Sequence, residues 1–364
     1  MRFLHTSDWQ LGLKARFVPG DRGARLRLER FRVVERIAAL ARETECQAVV
    51  VAGDVFDDNA VGPDTLQQTR DALSEFSPIP VLLLPGNHDA ATAGNALERL
   101  KSEAHGLEHV HLLMTRDPLE VGGATFYPAP LERRHTLDDP CALLPARQEG
   151  EGIRVALAHG GVRDFSESTE TPNRIDLAEV ASKGFDYLAL GDWHGAIRLG
   201  PRAWYSGTPE GTRFQEKDPG KVLIVEIKEA GAEPKVEQRS VAKAVWLRSR
   251  REVSSQEDLN ALESWLSTLP DKSWTLLEVR LEGSLSLAGR SRLEALLASA
   301  QESFLYLRVD DEALATRPDD LDLELLDRAG FVGRAAGRLS QEGGREAQDA
   351  LLLLHRLLAE VGSE

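Results

Sequence analysis

The chain has 364 residues, which at ~150 residues per domain suggests two domains, or one large one with an appendage. Hydrophobic residues at 42% and charged residues at 28% exclude disorder as a description of the whole chain. The net charge of −15 argues against a surface built entirely to wrap nucleic acid, while leaving room for local basic patches. Lys14–Arg36 holds eight basic residues against three acidic ones, whereas Asp310–Asp327 holds eight acidic residues and one arginine. Opposite roles are expected for these two stretches. No run of about 18 apolar residues exists, and MRFLHTSDW lacks the apolar core of a secretory signal, so no membrane partner is expected. Two cysteines, Cys46 and Cys141, are too few for a disulfide framework or a thiolate metal site, and a reducing cytoplasm fits.

Residues 1–240 alternate short apolar runs with polar helical stretches. MRFLHTSD opens with a strand, and FRVVERIAALA (31–41) has apolar residues at helical spacing. QAVVVAGD is a short buried strand, PDTLQQTRDALSEF a helix, and PIPVLLLPGNHD a strand running into a loop. HVHLL and EVGGATFYPAP are hairpin-like, and the strands IRVALAHGG, FDYLALGD, AWYSGTP and KVLIVEIKE follow. Strands interleaved with helices predict an α/β layered core with polar residues collected at strand ends. Residues 241–364 are expected to form a second domain, a small α+β unit of β-α-β-α-β order followed by helices. Its last apolar run, LLLLHRLLAEV, either docks a partner or packs back on the domain.

The chemistry collects at five strand ends: Asp8-Trp9-Gln10, Gly53-Asp54-Val55-Phe56-Asp57, Gly86-Asn87-His88-Asp89, His159-Gly160-Gly161 and Gly191-Asp192-Trp193-His194. A lone Gly-Asp is most often a cap or turn, but five such sites in one α/β unit are hard to explain as capping. Carboxylate, imidazole and amide oxygen without thiolate is a donor mix for Mn, Fe or Zn. Two ions ~3.5–4 Å apart could clamp a phosphate and activate a water. The glycines before Asp54, Asn87 and Asp192 are expected to let the backbone turn sharply.

This constellation resembles the calcineurin-like metallophosphoesterases. HTSDWQLG, AGDVFD, LPGNHD, LAHGG, DYLALGDWH and YSGTPEGTRF look like the SbcD-type DNA repair exonucleases, bacterial relatives of the eukaryotic Mre nuclease. The resemblance implies a layered β-sandwich core flanked by helices and a small α+β cap. It further implies a two-metal phosphodiesterase, an exonuclease or endonuclease acting on DNA. A phosphodiesterase or phosphatase for small nucleotides or phosphoproteins is the alternative. Carried over, Asp8, Asp54 and His194 hold one divalent ion and Asn87, His159 and Asp192 the other, with Asp54 bridging. Mn is the favoured metal, with Mg, Fe and Zn admitted. His88 is the general acid or transition-state stabiliser, and Asp89 orients its ring. Gln10 and Asp192 stand where the family commonly has histidine. Gln10 either ligates or hydrogen-bonds a metal-bound water. Trp9 and Trp193 are expected to pack under the cleft. Lys14, Arg16, Arg22 and Arg25 are expected to contact phosphates, the alternative being a solvated helix face. An SbcC-type SMC-like ATPase and a second copy of the chain are the partners expected beside DNA.

Overall fold

The computed structural model describes residues 1–102, 106–162, 172–317, 331–342 and 344–361. The chain divides into two units, Met1–Ala244 and Val245–Glu364.

The first unit contains twelve strands among the described residues: β1 (Arg2–Thr6), β2 (Ala48–Ala52), β3 (Val81–Leu84), β4 (Val110–Leu112), β5 (Leu119–Val121), β6 (Ala124–Ala129), β7 (Ile153–His159), β8 (Tyr187–Gly191), β9 (Ile197–Arg198), β10 (Ala203–Tyr205), β11 (Lys221–Glu226) and β12 (Lys235–Ser240). They form two six-stranded sheets, ordered β12-β11-β1-β2-β3-β4 and β5-β6-β7-β8-β10-β9. Side chains alternate across each strand, so one set of residues must face the opposite sheet and the next must face outward. Phe3, Val50, Leu82 and Leu84 meet Phe126, Val155, Leu157 and Tyr187 in the core between the sheets. The Phe3 ring lies edge-on to Phe126 at 5.8 Å and to Tyr187 at 5.5 Å. Leu4, Val49, Val51 and Leu83 point the other way. They pack under α1 (Gly20–Glu43), α2 (Pro63–Ser74) and α3 (Ala96–Ser102). The outer face of the second sheet is covered by α4 (Leu177–Ser182) and the segment around Cys141 and Leu144. Each large apolar side chain buried in these layers contributes roughly 1.5–3 kcal/mol. The result is the layered α/β core that the pattern of runs predicts, in the two-sheet form that the resemblance implies.

β1, β2 and β3 run parallel to one another, as do β7 and β8. Their carboxyl ends therefore open on one edge, which is where open α/β sheets bind ligands.

Several elements differ from expectation. Helix α1 begins at Gly20, eleven residues before the apolar spacing at Phe31 becomes regular. Its first half is polar and arginine-rich, and arginine is a good helix former. Gly23 seats it: a Cβ there would lie 2.0 Å from the Val18 carbonyl oxygen. β12 carries no buried residue, so its sequence lacks an apolar signal, and six backbone pairings with β11 hold it as an edge strand. The short helix α4 is fixed by Asp176, whose Oδ1 accepts from the Ala178 and Glu179 amides at 3.0 and 3.1 Å.

The second unit contains β13 (Val245–Val253), α5 (Gln256–Thr268), β14 (Thr275–Leu285), α6 (Leu287–Ser303), β15 (Tyr306–Thr316), α7 (Phe331–Glu342) and α8 (Arg345–Val361). The three strands are parallel, ordered β13-β14-β15. Ser255 and Ser286 cap α5 and α6 through their hydroxyl oxygens. Leu259, Leu262, Leu266 and Leu293 bury these helices against Leu277, Val279 and Leu307 of the sheet. Leu351 and Leu352 of the last apolar run pack back on Leu287 and Ala336, while Leu353 and Leu357 face solvent. Of the acidic stretch, residues 310–316 lie in β15 and 318–327 lie outside the described residues. No helix among the described residues is long and apolar enough to cross a membrane.

The end of the first unit is tied to its core by buried charge. Glu210 accepts from the Lys243 and Ala244 amides at 3.0 and 3.1 Å and lies 3.6 Å from Arg36. Burial pushes its carboxyl up to about 7, although both amides and Arg30 favour the ionised form. An unfolded glutamate titrates near 4.3, so folding favours the protonated form of this group. Its contribution to stability is greatest below about 4, falls as pH rises to about 7, and is flat above. Glu210→Gln removes that slope. The loss of unfolding free energy between pH 5 and pH 8, measured by urea denaturation, is expected to be smaller in the variant, by on the order of 1–3 kcal/mol.

Candidate metal centre

The loops after β1 and β2 are laced together by their backbones. The amides of Asp8, Gln10 and Leu11 donate to the carbonyls of Gly53, Asp54 and Val55 at 3.0, 2.9 and 2.9 Å. Asp8, Gln10, Asp54 and Asp192 account for four of the nine non-glycine residues with positive φ among the described residues. Left-handed backbone is costly for such residues and persists where the surroundings over-determine it. Here it turns polar side chains toward one point. Gly53 also has positive φ, at +93°, as the turn requires. Gly86 and Gly191 do not, and another constraint selects glycine there. A Cβ on Gly86 would lie 2.1 Å from Asp54 Oδ1, and one on Gly191 would lie 2.0 Å from the Ala52 carbonyl oxygen.

Asp8, Asp54 and His159 bring ligand atoms within 4.8 Å of one another, and all three are buried. His159 Nδ1–H donates to the Ala52 carbonyl at 2.8 Å, which leaves Nε2 facing oxygens. Asn87 Oδ1 lies 2.8 Å from that nitrogen, Asp54 Oδ1 3.4 Å and Asp192 Oδ1 3.8 Å. On the other side, His194 Nε2 lies 4.0 Å from Asp8 Oδ1 and 3.2 Å from Gln10 Nε2. Asp8 accepts from Ser7 Oγ at 2.5 Å, and both its oxygens lie 3.2 Å from the Asp192 amide. Asp54 Oδ1 accepts from the His88 amide at 2.9 Å.

The electrostatics call for positive charge at the centre. Burial raises the Asp8 carboxyl, and the neighbouring Asp54 adds to that. Burial alone would push the His159 imidazole down, but Asp54, Asp8 and Asp192 together raise it to about 9. A proton on His159 does there what a cation would do. The donors fit divalent ions in two sets sharing Asp54. If two ions share Asp54 as the resemblance implies, Asp8, Gln10 and His194 are the further donors for one and Asn87, His159 and Asp192 for the other; Asp8, Asp54 and His159, the group whose ligand atoms converge, spans both sets. A family model described as calcineurin-like phosphoesterase matches residues 1–225. The chain belongs to this family. It is therefore a metal-dependent phosphoester hydrolase, and members of the family typically bind two divalent ions.

Other residues of this phosphoesterase fall differently from expectation. The His88 ring is oriented by Asp57, whose carbonyl oxygen accepts from Nδ1–H at 2.7 Å and whose carboxylate lies 4.0 Å away. Asp89, expected to hold that ring, instead accepts from the Gly86 and Phe56 amides at 2.7 and 3.1 Å. It is buried, with its carboxyl raised by that burial, and it pins the β3 loop to the β2 loop. Trp9 packs under the cleft as expected, stacked on Phe76 with ring centroids 6.3 Å apart. Trp193 does not: it is 40% exposed, between Asp192 and His194 in the chain.

The basic stretch divides in two. Lys14 and Arg16 in the loop after Gln10, and Arg22 and Arg25 on α1, are exposed. Arg30 is buried and donates to the carbonyls of Trp9, Glu210 and Gly211. Arg36 pairs with Glu29 and donates to the Val241 carbonyl. His109 bonds the Leu73 carbonyl, and His105 lies outside the described residues. Sequence reasoning assigned no role to two contributors. Glu216, 1% exposed in its side chain, accepts from His194 Nδ1–H at 2.5 Å, and Thr212 in turn holds Glu216. Thr212 falls within the YSGTPEGTRF motif and Glu216 lies two residues beyond it.

Isothermal titration with Mn²⁺ separates these roles. Asp54→Ala is expected to lose both ions, because it belongs to both donor sets. His88→Ala is expected to keep both while turnover falls about 10²–10⁴-fold. Gln10→His is expected to tighten one site, since imidazole is a stronger donor than a neutral amide oxygen.

Proposed function

We propose that this phosphoesterase hydrolyses phosphodiester bonds in DNA, as a repair nuclease of the SbcD type. The observation that carries the reading is the exposed cationic arm, Lys14, Arg16, Arg22 and Arg25, on the segment that leads directly out of Asp8 and Gln10. Phosphates passing along that arm would reach the donors without leaving positive potential. Trp193 adds a second support. An exposed indole beside two donor residues offers a face on which a base can stack, an interaction that tolerates any sequence. The five motifs taken together agree with the nuclease branch.

When bound, the two ions supply Lewis acidity that draws in the phosphate and sharpens a water as nucleophile. Seven oxygen and nitrogen donors, five of them carboxylate or amide residues, favour a hard cation, and Mn²⁺ is the metal we assign. The protein's own part is positional. Asp54 belongs to both donor sets and so fixes their separation. The Ala52 carbonyl and the Glu216 carboxylate hold the Nε2 lone pairs of His159 and His194 inward. In its protonated form His88 keeps Nδ1–H on Asp57 and presents Nε2–H to the leaving oxygen, giving it a proton as the P–O bond breaks.

The test is hydrolysis of single- and double-stranded DNA with Mn²⁺, beside bis-p-nitrophenyl phosphate and cyclic nucleotides. Cleavage of the small esters with none of DNA would transfer the assignment to small nucleotides. Charge reversal at Arg22 and Arg25 is expected to weaken DNA binding for all sequences. The slope of log affinity against log salt should fall by about 1 for each phosphate the variant no longer neutralises. Trp193→Ala is expected to weaken single-strand binding by about 1–3 kcal/mol per base it stacks.

A further inference from the structure

The two histidines of the centre are held by different means. His159 leans on the Ala52 carbonyl, a backbone group that no substitution removes. His194 leans on a side chain. Its Nδ1 meets Glu216 Oε1 at 2.5 Å, inside a pocket where the glutamate is 1% exposed. Glu216 is itself locked: the Thr212 amide donates to Oε2 at 2.9 Å and the Thr212 hydroxyl donates to Oε1. Arg213 reaches to 3.8 Å from the same oxygen.

An ionised carboxylate only accepts, so the hydrogen of a neutral His194 ring must sit on Nδ1. Nε2 then carries a lone pair, and it faces Asp8 and Gln10. The other ring neighbour at Nδ1, Thr212 Oγ1 at 3.3 Å, can donate or accept and by itself would select neither tautomer. Selection therefore lies with Glu216.

This matters most on this side of the centre. Asp8, Gln10, Asp54 and His194 include a neutral amide where the related motif carries an imidazole, leaving His194 as the one nitrogen ligand of the set. We propose that Glu216, locked by Thr212, is a positioning residue that commits His194 to one tautomer and one ring orientation. The Gln10 side thereby holds its cation through a single imidazole. The proposal rests on the two-set metal centre described above. Groups that orient ligating histidines typically contribute 10–100-fold in metal affinity, a gain that would offset the weak Gln10 donor.

The experiment compares wild type, Glu216→Ala, Glu216→Gln and Thr212→Val by Mn²⁺ titration and by long-range ¹H–¹⁵N NMR of the His194 ring in the metal-free protein. The NMR is followed to a pH high enough to leave the ring neutral, because, against burial, Glu216 and Asp8 raise its pKa above the ordinary value. Wild type is expected to show a single Nδ1–H tautomer. Glu216→Ala is expected to show a tautomer mixture and a 10–100-fold loss at one of two sites, the other unchanged. Glu216→Gln, which keeps a carbonyl acceptor and the packing volume, is expected to lose less. Thr212→Val is expected to fall between wild type and Glu216→Ala. Should Glu216→Ala fail to fold, Glu216→Gln and Thr212→Val still decide. Wild-type affinities and a single tautomer throughout the variants would overturn the proposal, as would a mixture in wild type. If wild type binds fewer than two Mn²⁺, the two-ion reading fails. The tautomer comparison then decides the role of Glu216 alone.

Discussion

Asp8 and Asp54 are buried side by side at the ends of adjacent parallel strands. Like charges that close in a low dielectric repel strongly unless positive charge lies between them. The rest of the site answers that requirement. His159 and His194 turn ring nitrogens inward from either side, Asn87 and Asp192 bring oxygens toward His159, and the Gln10 amide nitrogen lies against His194. Without a cation, protons must do the neutralising, which is why burial and Asp54 raise Asp8 and why His159 holds a proton so firmly. The sandwich serves this arrangement by bringing five strand ends to one edge. A strand slipped by one residue would turn its ligand into the core.

Precision comes from the loops, whose backbones are cross-tied. The β1 loop hydrogen-bonds the β2 loop, and Asp89 joins the β2 loop to the β3 loop through two buried amide contacts. Arg30 clamps the β1 loop to residues 210–211 through backbone carbonyls alone. Asp89 and Arg30, which by residue type and position in the chain could pass for catalytic or phosphate-binding groups, thus act as fasteners. The imidazole of His88 is placed by its neighbours' backbones, through the Asp57 carbonyl and its own amide on Asp54.

Most of the fold was legible because the buried strands are short apolar runs that end in polar motifs, and residues of those motifs are the ones that the fold brings together. What stayed hidden has physical reasons. β12 has no buried face, so no periodicity marks it. The start of α1 is polar on the surface and buries Gly23 and Arg30, residues that do not register as an apolar stripe. The motif spacing placed Asp89 beside His88 in the chain, and adjacency in a loop says little about which way a side chain turns. Trp9 and Trp193 are equivalent as letters between two site residues, yet one fills the core and the other meets solvent. Glu216 and Thr212 act across a fold-made contact that no local pattern announces.

Gly86 and Gly191 give the site an uneven tolerance for change. Donors are replaceable in principle: imidazole, amide and carboxylate can each fill one coordination position. The two glycines have no substitute, since a single methyl group would sit 2.1 Å from Asp54 Oδ1 or 2.0 Å from the Ala52 carbonyl. In a lineage of such enzymes the metal preference can therefore drift, ligand by ligand, while the empty volumes beside the ligands stay fixed. The space where nothing can be added is the more durable signature of this centre than the atoms that bind.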